Sequence, residues 1–108
     1  ALHWDEGGLF VVGYGFTVYA FASRTGELAW LHQTGTPVVA LAASPRIDHI
    51  IVQSEVETWA IRADGEVKWR LAHTDVVGAA ELPGGPLILT SIAGATQSID
   101  PATGRALG

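Results

Sequence analysis

Cysteine and methionine are both absent from this chain of 108 residues. Without cysteine the chain can form neither a disulfide nor a thiolate metal site, so its composition leaves the redox environment open. Because there is also no methionine at the start, we expect either that the start was processed or, as we favour, that the chain is a piece of a longer protein.

Positive charge and long apolar runs are also scarce. Six Lys and Arg stand against 11 Asp and Glu, giving a formal net charge of −5, and the basic residues form no run. Nucleic acids and anionic membranes bind clustered basic surfaces, so we expect no nucleic-acid partner. No apolar run approaches the roughly 20 residues of a membrane-spanning helix, so we expect no membrane insertion.

Short strands and tight turns are what the remaining composition favours. Hydrophobic residues make up 48% of the chain, and 13 Gly and 5 Pro are spread among them. No stretch of ten or more residues keeps the 3.6-residue apolar period of a helix. The sequence therefore predicts an all-β fold.

One pattern occurs three times, at residues 18–30 (VYAFASRTGELAW), 59–69 (WAIRADGEVKW) and 97–108 (QSIDPATGRALG). The turn glycines of the three copies, Gly26, Gly65 and Gly104, are 39 residues apart each time. Trp30 and Trp69 keep the same interval, and Gly108 occupies the third such position. A fixed period of this length is typical of stacked supersecondary units. We therefore predict a single domain of three units, at about residues 1–35, 36–74 and 75–108.

The copies share the pattern Ala-x-Asp-x-x-Thr-Gly-x-x-x-Trp, which is carried by Ala20, Thr25, Gly26 and Trp30 in the first unit. The second unit has Ala60, Gly65 and Trp69, and the third has Asp100, Thr103 and Gly104. This pattern resembles the repeat of the quinoprotein-type (PQQ-like) β-propellers. The resemblance implies about three four-stranded antiparallel blades, each docked on its neighbour by a Trp–Gly pair. It assigns structural docking roles to Gly26, Trp30, Gly65, Trp69 and Gly104.

Three blades are too few to close a ring, because β-propellers usually have 4–8. The chain could be part of a larger propeller, two or more copies could complete a ring, or the strands could form an open sandwich. Exposed sheet faces and edges favour association. We favour self-association into a homo-oligomer.

The residues do not support quinone-dependent dehydrogenation, because no group in the sequence matches the cofactor pocket of those enzymes. No cofactor is therefore implied. The four histidines lack the spacing of metal ligands, and Gly13-Tyr14-Gly15 is interpreted as a hairpin turn. A predicted strand at residues 55–61 places Glu55 and Glu57 on one face, near Asp64 and Glu66. We interpret these acidic groups as a solvated face and, less favoured, as a patch for a cation or a basic partner.

The preferred function is a non-enzymatic module for protein–protein interaction or assembly. Binding would use the loops at residues 44–49, 73–75 and 83–86, with Arg46, Asp48, His49, His73 and Asp75 as candidate contact residues. One alternative is a small-ligand-binding or enzymatic propeller whose site forms only in a complete ring. Another is a sensor or scaffold segment of a larger multidomain protein.

Overall fold

A computed structural model describes residues 1–107 and contains three antiparallel sheets. Sheet 1 consists of β1 (Leu2–Trp4), β2 (Leu9–Tyr14), β3 (Thr17–Ala22) and β4 (Leu28–Gln33). Sheet 2 consists of β5 (Val38–Ala42), β6 (His49–Ser54), β7 (Glu57–Arg62) and β8 (Val67–Ala72). Sheet 3 consists of β9 (Val77–Glu81), β10 (Leu87–Ser91) and β11 (Thr96–Ile99). The all-β prediction is confirmed.

Each sheet is a meander in which strands that follow one another along the chain are also neighbours in space. Sheets 1 and 2 have the predicted four strands, whereas sheet 3 has three. A single isolated bridge joins Ile99 of β11 to Ala106. No helix among residues 1–107 is long and apolar enough to cross a membrane.

The sheets pack face to face through two separate hydrophobic cores. The first core joins sheet 1 to sheet 2 and includes Val11, Ala20, Val52, Trp59 and Ile61. The second core joins sheet 2 to sheet 3, and its main members are Ile51, Ala60, Leu87, Leu89 and Ile99. Sheet 2 therefore contributes one face to each core, because neighbouring residues of a strand point to opposite sides. All six residues of β6 are buried as a result.

The three repeated turns share one backbone conformation at their glycines. Gly26, Gly65 and Gly104 have φ of 74°, 90° and 79°, in the left-handed region where a Cβ is unfavourable. The residue before each turn, Ala22, Arg62 or Asp100, donates its backbone N–H across the turn at 2.8 Å. The one-residue difference in turn length between the units thus leaves the closing hydrogen bond unchanged.

Two local predictions were wrong. Gly13 and Tyr14 belong to β2, so the hairpin turn lies at Gly15 and Phe16 rather than at Gly13-Tyr14-Gly15. Glu55 lies in the turn between β6 and β7, whereas Glu57 is the first residue of β7. The two carboxylates therefore do not share the face of one strand.

Candidate functional site

Trp30 connects sheet 1 to sheet 2. It lies on β4, and its indole N–H donates to the carbonyl of Ala63 at 2.9 Å. The ring covers the turn glycine of the next sheet so closely that a Cβ at Gly65 would lie 2.9 Å from Trp30 Cγ. Only a glycine fits beneath this indole without a shift of the ring.

Trp69 makes the same contact between sheet 2 and sheet 3. Its indole N–H donates to the carbonyl of Pro101 at 2.9 Å, and a Cβ at Gly104 would lie 2.8 Å from Trp69 Cδ2. Both tryptophans thus use one geometry, with the ring on a turn glycine and the N–H on a carbonyl of the same turn. This is the geometry expected of the docking role that the resemblance assigned to these residues.

The predicted interaction loops lie at two different ends of the sheets. The loops at 44–49 and 83–86 follow β5 and β9 and lie at the end that also carries the Trp–Gly contacts, here called the docking end. The Arg46 guanidinium donates to the carbonyl of Gly84, which holds these two loops together. His73 and Asp75 lie at the opposite end, where the His73 backbone N–H donates to Val56 at 2.8 Å. The five candidate contact residues therefore do not form one surface.

Asp48 and His49 differ sharply in exposure although they are neighbours in sequence. His49 begins β6 and is fully buried, with Nε2 2.6 Å from the Pro101 carbonyl and Nδ1 3.1 Å from Asp48. The Asp48 carboxylate is exposed and lies 3.3 Å from the Lys68 ammonium. The hydrogen bond from His49 and then the Lys68 ammonium lower the pKa of Asp48 below its usual range. The contacts of His49 are internal and join sheet 2 to sheet 3.

The acidic groups of the second unit form no common patch. Glu57 is mostly covered, and it accepts a hydrogen bond from Arg70 Nε at 2.8 Å. Asp64 and Glu66 lie in the turn at the docking end, beyond the other end of β7. There the Asp64 carboxylate caps its own turn by accepting the Glu66 N–H at 2.9 Å. Asp64 and Glu66 are exposed and Glu57 is not, so these carboxylates share neither one solvated face nor one cation site.

A cleft separates sheets 2 and 3 at the end away from the docking contacts. It has a volume of about 290 Å³, and its lining includes His73, Asp75, Ser91, Thr96 and Gln97. His73 Nε2 lies 2.7 Å from the Thr58 hydroxyl, which in turn donates to the buried Gln53 amide oxygen. Burial lowers the pKa of His73 below its usual value.

Our sequence analysis missed this cleft, although aligning the repeats gives a signal for it. The residue before the repeat Ala or Ser is Tyr19 in the first unit, Trp59 in the second and Gln97 in the third. Trp59 is buried between sheets 1 and 2, whereas Gln97 is exposed. The smaller, polar side chain leaves the space that the indole fills one sheet earlier.

The outer face of sheet 1 is apolar and has no sheet packed against it within residues 1–107. We define it by six apolar side chains on the side of the sheet where the register also places His3, opposite Phe10: Phe10, Val12, Tyr19, Phe21, Leu28 and Leu31. Phe10 is 42% exposed, Leu28 51% and Leu31 50%. Such a cluster is unusual on a monomer surface and typically marks an interaction site.

The described residues, 1–107, contain no group of three His, Asp or Glu side chains that could hold a metal ion. No protein-family model matches the chain, and no curated protein is detectably similar to it in sequence. Its similarity to known proteins is one of structure.

Solved structures superpose on nearly all of the chain. Sqt1 of Saccharomyces cerevisiae matches with a TM-score of 0.85 at 12% identity, over 100% of this chain and 32% of that one. The Pan2 WD40 domain of Neurospora crassa matches at 0.78 and 12% identity, over 94% of this chain and 34% of that one. A europium-containing methanol dehydrogenase matches at 0.75 and 15% identity, over 94% of this chain and 22% of that one.

These matches show the fold of the chain, which is that of consecutive β-propeller blades. Sheets 1, 2 and 3 are three such blades in order along the chain. The chain spans about a third of the length of Sqt1 and of the Pan2 domain.

Proposed function

We propose that this chain is a non-enzymatic β-propeller module that acts by assembly, associating with further blades through the outer face of sheet 1. The single observation that carries the proposal is the exposure of that face. The corresponding face of sheet 2 is buried by sheet 1, so the fold itself contains an example of the covered state. Burial of apolar surface at roughly 25 cal/mol per Å² would supply the driving force for association.

The side chains of the outer face of sheet 1 agree with a protein partner. No lysine or arginine lies among the six that define it. The six apolar side chains can pack on another sheet without burying an unpaired charge, which would be costly, whereas His3 and the Asp5 carboxylate 3.4 Å from it lie at the edge strand β1. We favour a second copy of this chain as the partner, and this association would form a homo-oligomer.

Light scattering over a concentration series tests this proposal. We expect the average mass of the unmodified chain to rise above that of one chain, 11.3 kDa. Leu28→Glu should keep the protein monomeric, because it places a carboxylate on the outer face of sheet 1. The matched control is Val67→Glu, since Val67 pairs with Ile61 as Leu28 pairs with Phe21 but lies on sheet 2. A folded monomer at every concentration, or equal effects of both variants, would contradict the proposal.

The repeat itself supports a finer proposal, that these blades are of the quinoprotein type. Both complete Trp–Gly pairs of the repeat make the contact that the resemblance implies. A quinone-dependent activity does not follow from this, because the pairs serve blade packing.

The cleft between sheets 2 and 3 favours a second candidate function, the binding of a small polar ligand. Its lining offers the Asp75 carboxylate, the Gln97 amide and the hydroxyls of Ser91 and Thr96. Nuclear magnetic resonance of the ¹⁵N-labelled chain with a library of small polar compounds would test it. Shifts confined to residues 73–75 and 91–97, and lost in Gln97→Ala, would favour ligand binding. The absence of any shift would exclude the tested classes of compound.

A further inference from the structure

The cleft between sheets 2 and 3 contains a carboxylate that no basic side chain neutralises. Asp75 belongs to its lining, is exposed and forms no ion pair within residues 1–107. The lining includes neither lysine nor arginine. Because like charges repel, a bound anion would be disfavoured beside Asp75, whereas a cation would find an unpaired partner there.

A chain of buried hydrogen bonds leads through sheet 2 to this cleft and begins at Gln53. Both amide hydrogens of this fully buried side chain are used, because Nε2 donates to the Ser54 carbonyl at 2.8 Å and to the Glu57 carbonyl at 3.0 Å. The amide oxygen therefore faces the Thr58 hydroxyl. Since an amide oxygen can only accept, the single hydrogen of that hydroxyl is donated to Gln53.

This chain fixes the tautomer of His73, which lines the cleft. His73 Nε2 lies 2.7 Å from the Thr58 hydroxyl, whose only hydrogen is already donated to Gln53. Nε2 must therefore carry a hydrogen and donate it to Thr58. Burial lowers the pKa of His73, which favours the neutral imidazole. A neutral imidazole has one N–H group, so Nδ1 keeps its lone pair.

The lone pair on His73 Nδ1 is available to a ligand. Within residues 1–107 no donor is hydrogen-bonded to this atom. The side-chain atoms buried without a partner in that part of the chain are Trp4 Nε1 and His32 Nε2, so His73 Nδ1 is accessible. Gln97 is exposed in the same lining and adds its amide oxygen. The cleft thus presents three acceptors of different kinds: a carboxylate, an imidazole nitrogen and an amide oxygen.

The rest of the lining indicates which cation fits these acceptors. Ala72, Val77 and Ala95 make part of it apolar, and its volume of about 290 Å³ lies below the roughly 300–1,000 Å³ of pockets for drug-sized ligands. The ligand is therefore a small group. A guanidinium has five N–H donors in one plane, no acceptor, and weaker hydration than an ammonium, so it can satisfy several acceptors and still contact apolar side chains.

We propose that the cleft between sheets 2 and 3 is a binding site for an alkylguanidinium group. The guanidinium pairs with the Asp75 carboxylate and donates to His73 Nδ1 and to the Gln97 amide oxygen, and its alkyl stem lies on the apolar part of the lining. A free guanidino compound and an arginine side chain of a protein partner offer the same chemistry. This inference rests on the second candidate function, ligand binding at the cleft, and names the class of ligand.

Titration of the ¹⁵N-labelled chain with probes of equal size tests this proposal. Butylguanidinium should shift the amide signals of residues 73–75 and 91–97. It should bind at least about fivefold more tightly than the neutral N-butylurea, which is what a good exposed ion pair contributes. Butylammonium, which has three donors and is more strongly hydrated, should bind more weakly than butylguanidinium.

Two matched variants locate the charge that the ligand recognises. Asp75→Asn should reduce the preference for butylguanidinium over N-butylurea to less than about twofold. Asp64→Asn changes the net charge by the same amount at the docking end and keeps the oxygen that caps its turn, so it should leave the preference unchanged. The amide spectrum of each variant shows whether it is folded.

The side-chain ¹⁵N signals of His73 test the acceptor without any ligand. We expect a hydrogen on Nε2 and none on Nδ1 at pH 7.5, and a change in the Nδ1 signal when butylguanidinium is added. A hydrogen on Nδ1 in the unliganded chain would exclude the acceptor role of His73 and overturn the proposed arrangement.

The remaining outcomes separate this inference from the candidate function on which it rests. If N-butylurea binds as tightly as butylguanidinium, or if both aspartate variants weaken binding equally, the guanidinium site is excluded. Ligand binding at the cleft stands in that case if another compound shifts the same amides. The peptide acetyl-Gly-Arg-Gly-amide distinguishes the two sources of the group. Binding at least as tight as that of butylguanidinium supports an arginine of a protein partner, and binding of butylguanidinium alone supports a free compound.

Discussion

The two interfaces between neighbouring sheets are held at one end by the same contact and differ at the other. Trp30 and Trp69 dock alike on Gly65 and Gly104. At the opposite end, Trp59 fills the first interface with its ring edge-on to His32, at 5.0 Å between ring centres. In the second interface Gln97 takes this position, and the cleft of about 290 Å³ opens beside it. The repeat motif thus determines where the sheets dock. At the other end the third unit differs both in Gln97 and in its hairpin, which has four residues between β10 and β11 where the second unit has two between β6 and β7.

Removing the Trp59 side chain should produce the largest difference in stability between the two interfaces. Trp59 is only 5% exposed, so Trp59→Ala leaves a cavity and should lower the free energy of unfolding by about 3–5 kcal/mol. Gln97→Ala, the matched change in the open interface, should cost less than about 0.5 kcal/mol. Urea unfolding followed by circular dichroism measures both. Equal losses would show that the first interface is not the more tightly packed one.

The docking turns allow a second comparison between an occupied and an open glycine. Gly26→Ala should cost about 1 kcal/mol, because φ at this position disfavours a side chain. Gly65→Ala carries the same backbone strain and also brings its Cβ to 2.9 Å from Trp30, which should add about 1–3 kcal/mol. Thermal unfolding of the two variants gives the difference. Equal midpoints would mean that Trp30 moves away from the turn at little cost.

Filling the cleft should make the second interface resemble the first. Gln97→Trp places an indole where Trp59 lies one sheet earlier. Because this indole fills the space, we expect the free energy of unfolding to rise by about 0.5–2 kcal/mol. Ser98→Trp is the control, because the next residue of β11 points to the opposite face of sheet 3. A gain in the control but not in Gln97→Trp would contradict the assignment of the cleft.

Acidification should produce the smallest effect, through one histidine at each interface. Burial lowers the pKa of His32, with a smaller opposing contribution from the Glu57 carboxylate, and burial alone lowers that of His73. The unfolded chain then binds protons before the folded one does. The free energy of unfolding should therefore have its full value above the ordinary histidine pKa of about 6.5 and decrease as the pH drops below it.

Urea midpoints at pH 7.5 and pH 5.5 measure this dependence. The variant with both His32→Gln and His73→Gln should lose less stability between the two pH values than the unmodified chain does. An unchanged pH dependence in this variant would show that other groups are responsible.

The sequence predicted those features that depend on the repeated backbone. The three turn glycines and the all-β class follow from spacing and turn chemistry. The burial of His49 was not predictable, because it depends on the Pro101 carbonyl, 52 residues further along the chain. The position of Glu55 was missed because polar residues at the end of a strand do not mark where its turn begins. The cleft depends on Gln97 and on the longer turn between β10 and β11, which the aligned repeats contain but the motif does not.

The complete burial of β6 has a consequence for how the molecule opens. Both faces of this strand are covered by other sheets and both edges are paired, to β5 and β7. Its amide hydrogens can reach solvent only when sheet 2 separates from a neighbour and its own ladder breaks. Deuterium should therefore enter the amides of β1 and β11 within the time of local fraying. Those of β6 should exchange last, at a rate that reports the global unfolding of the chain.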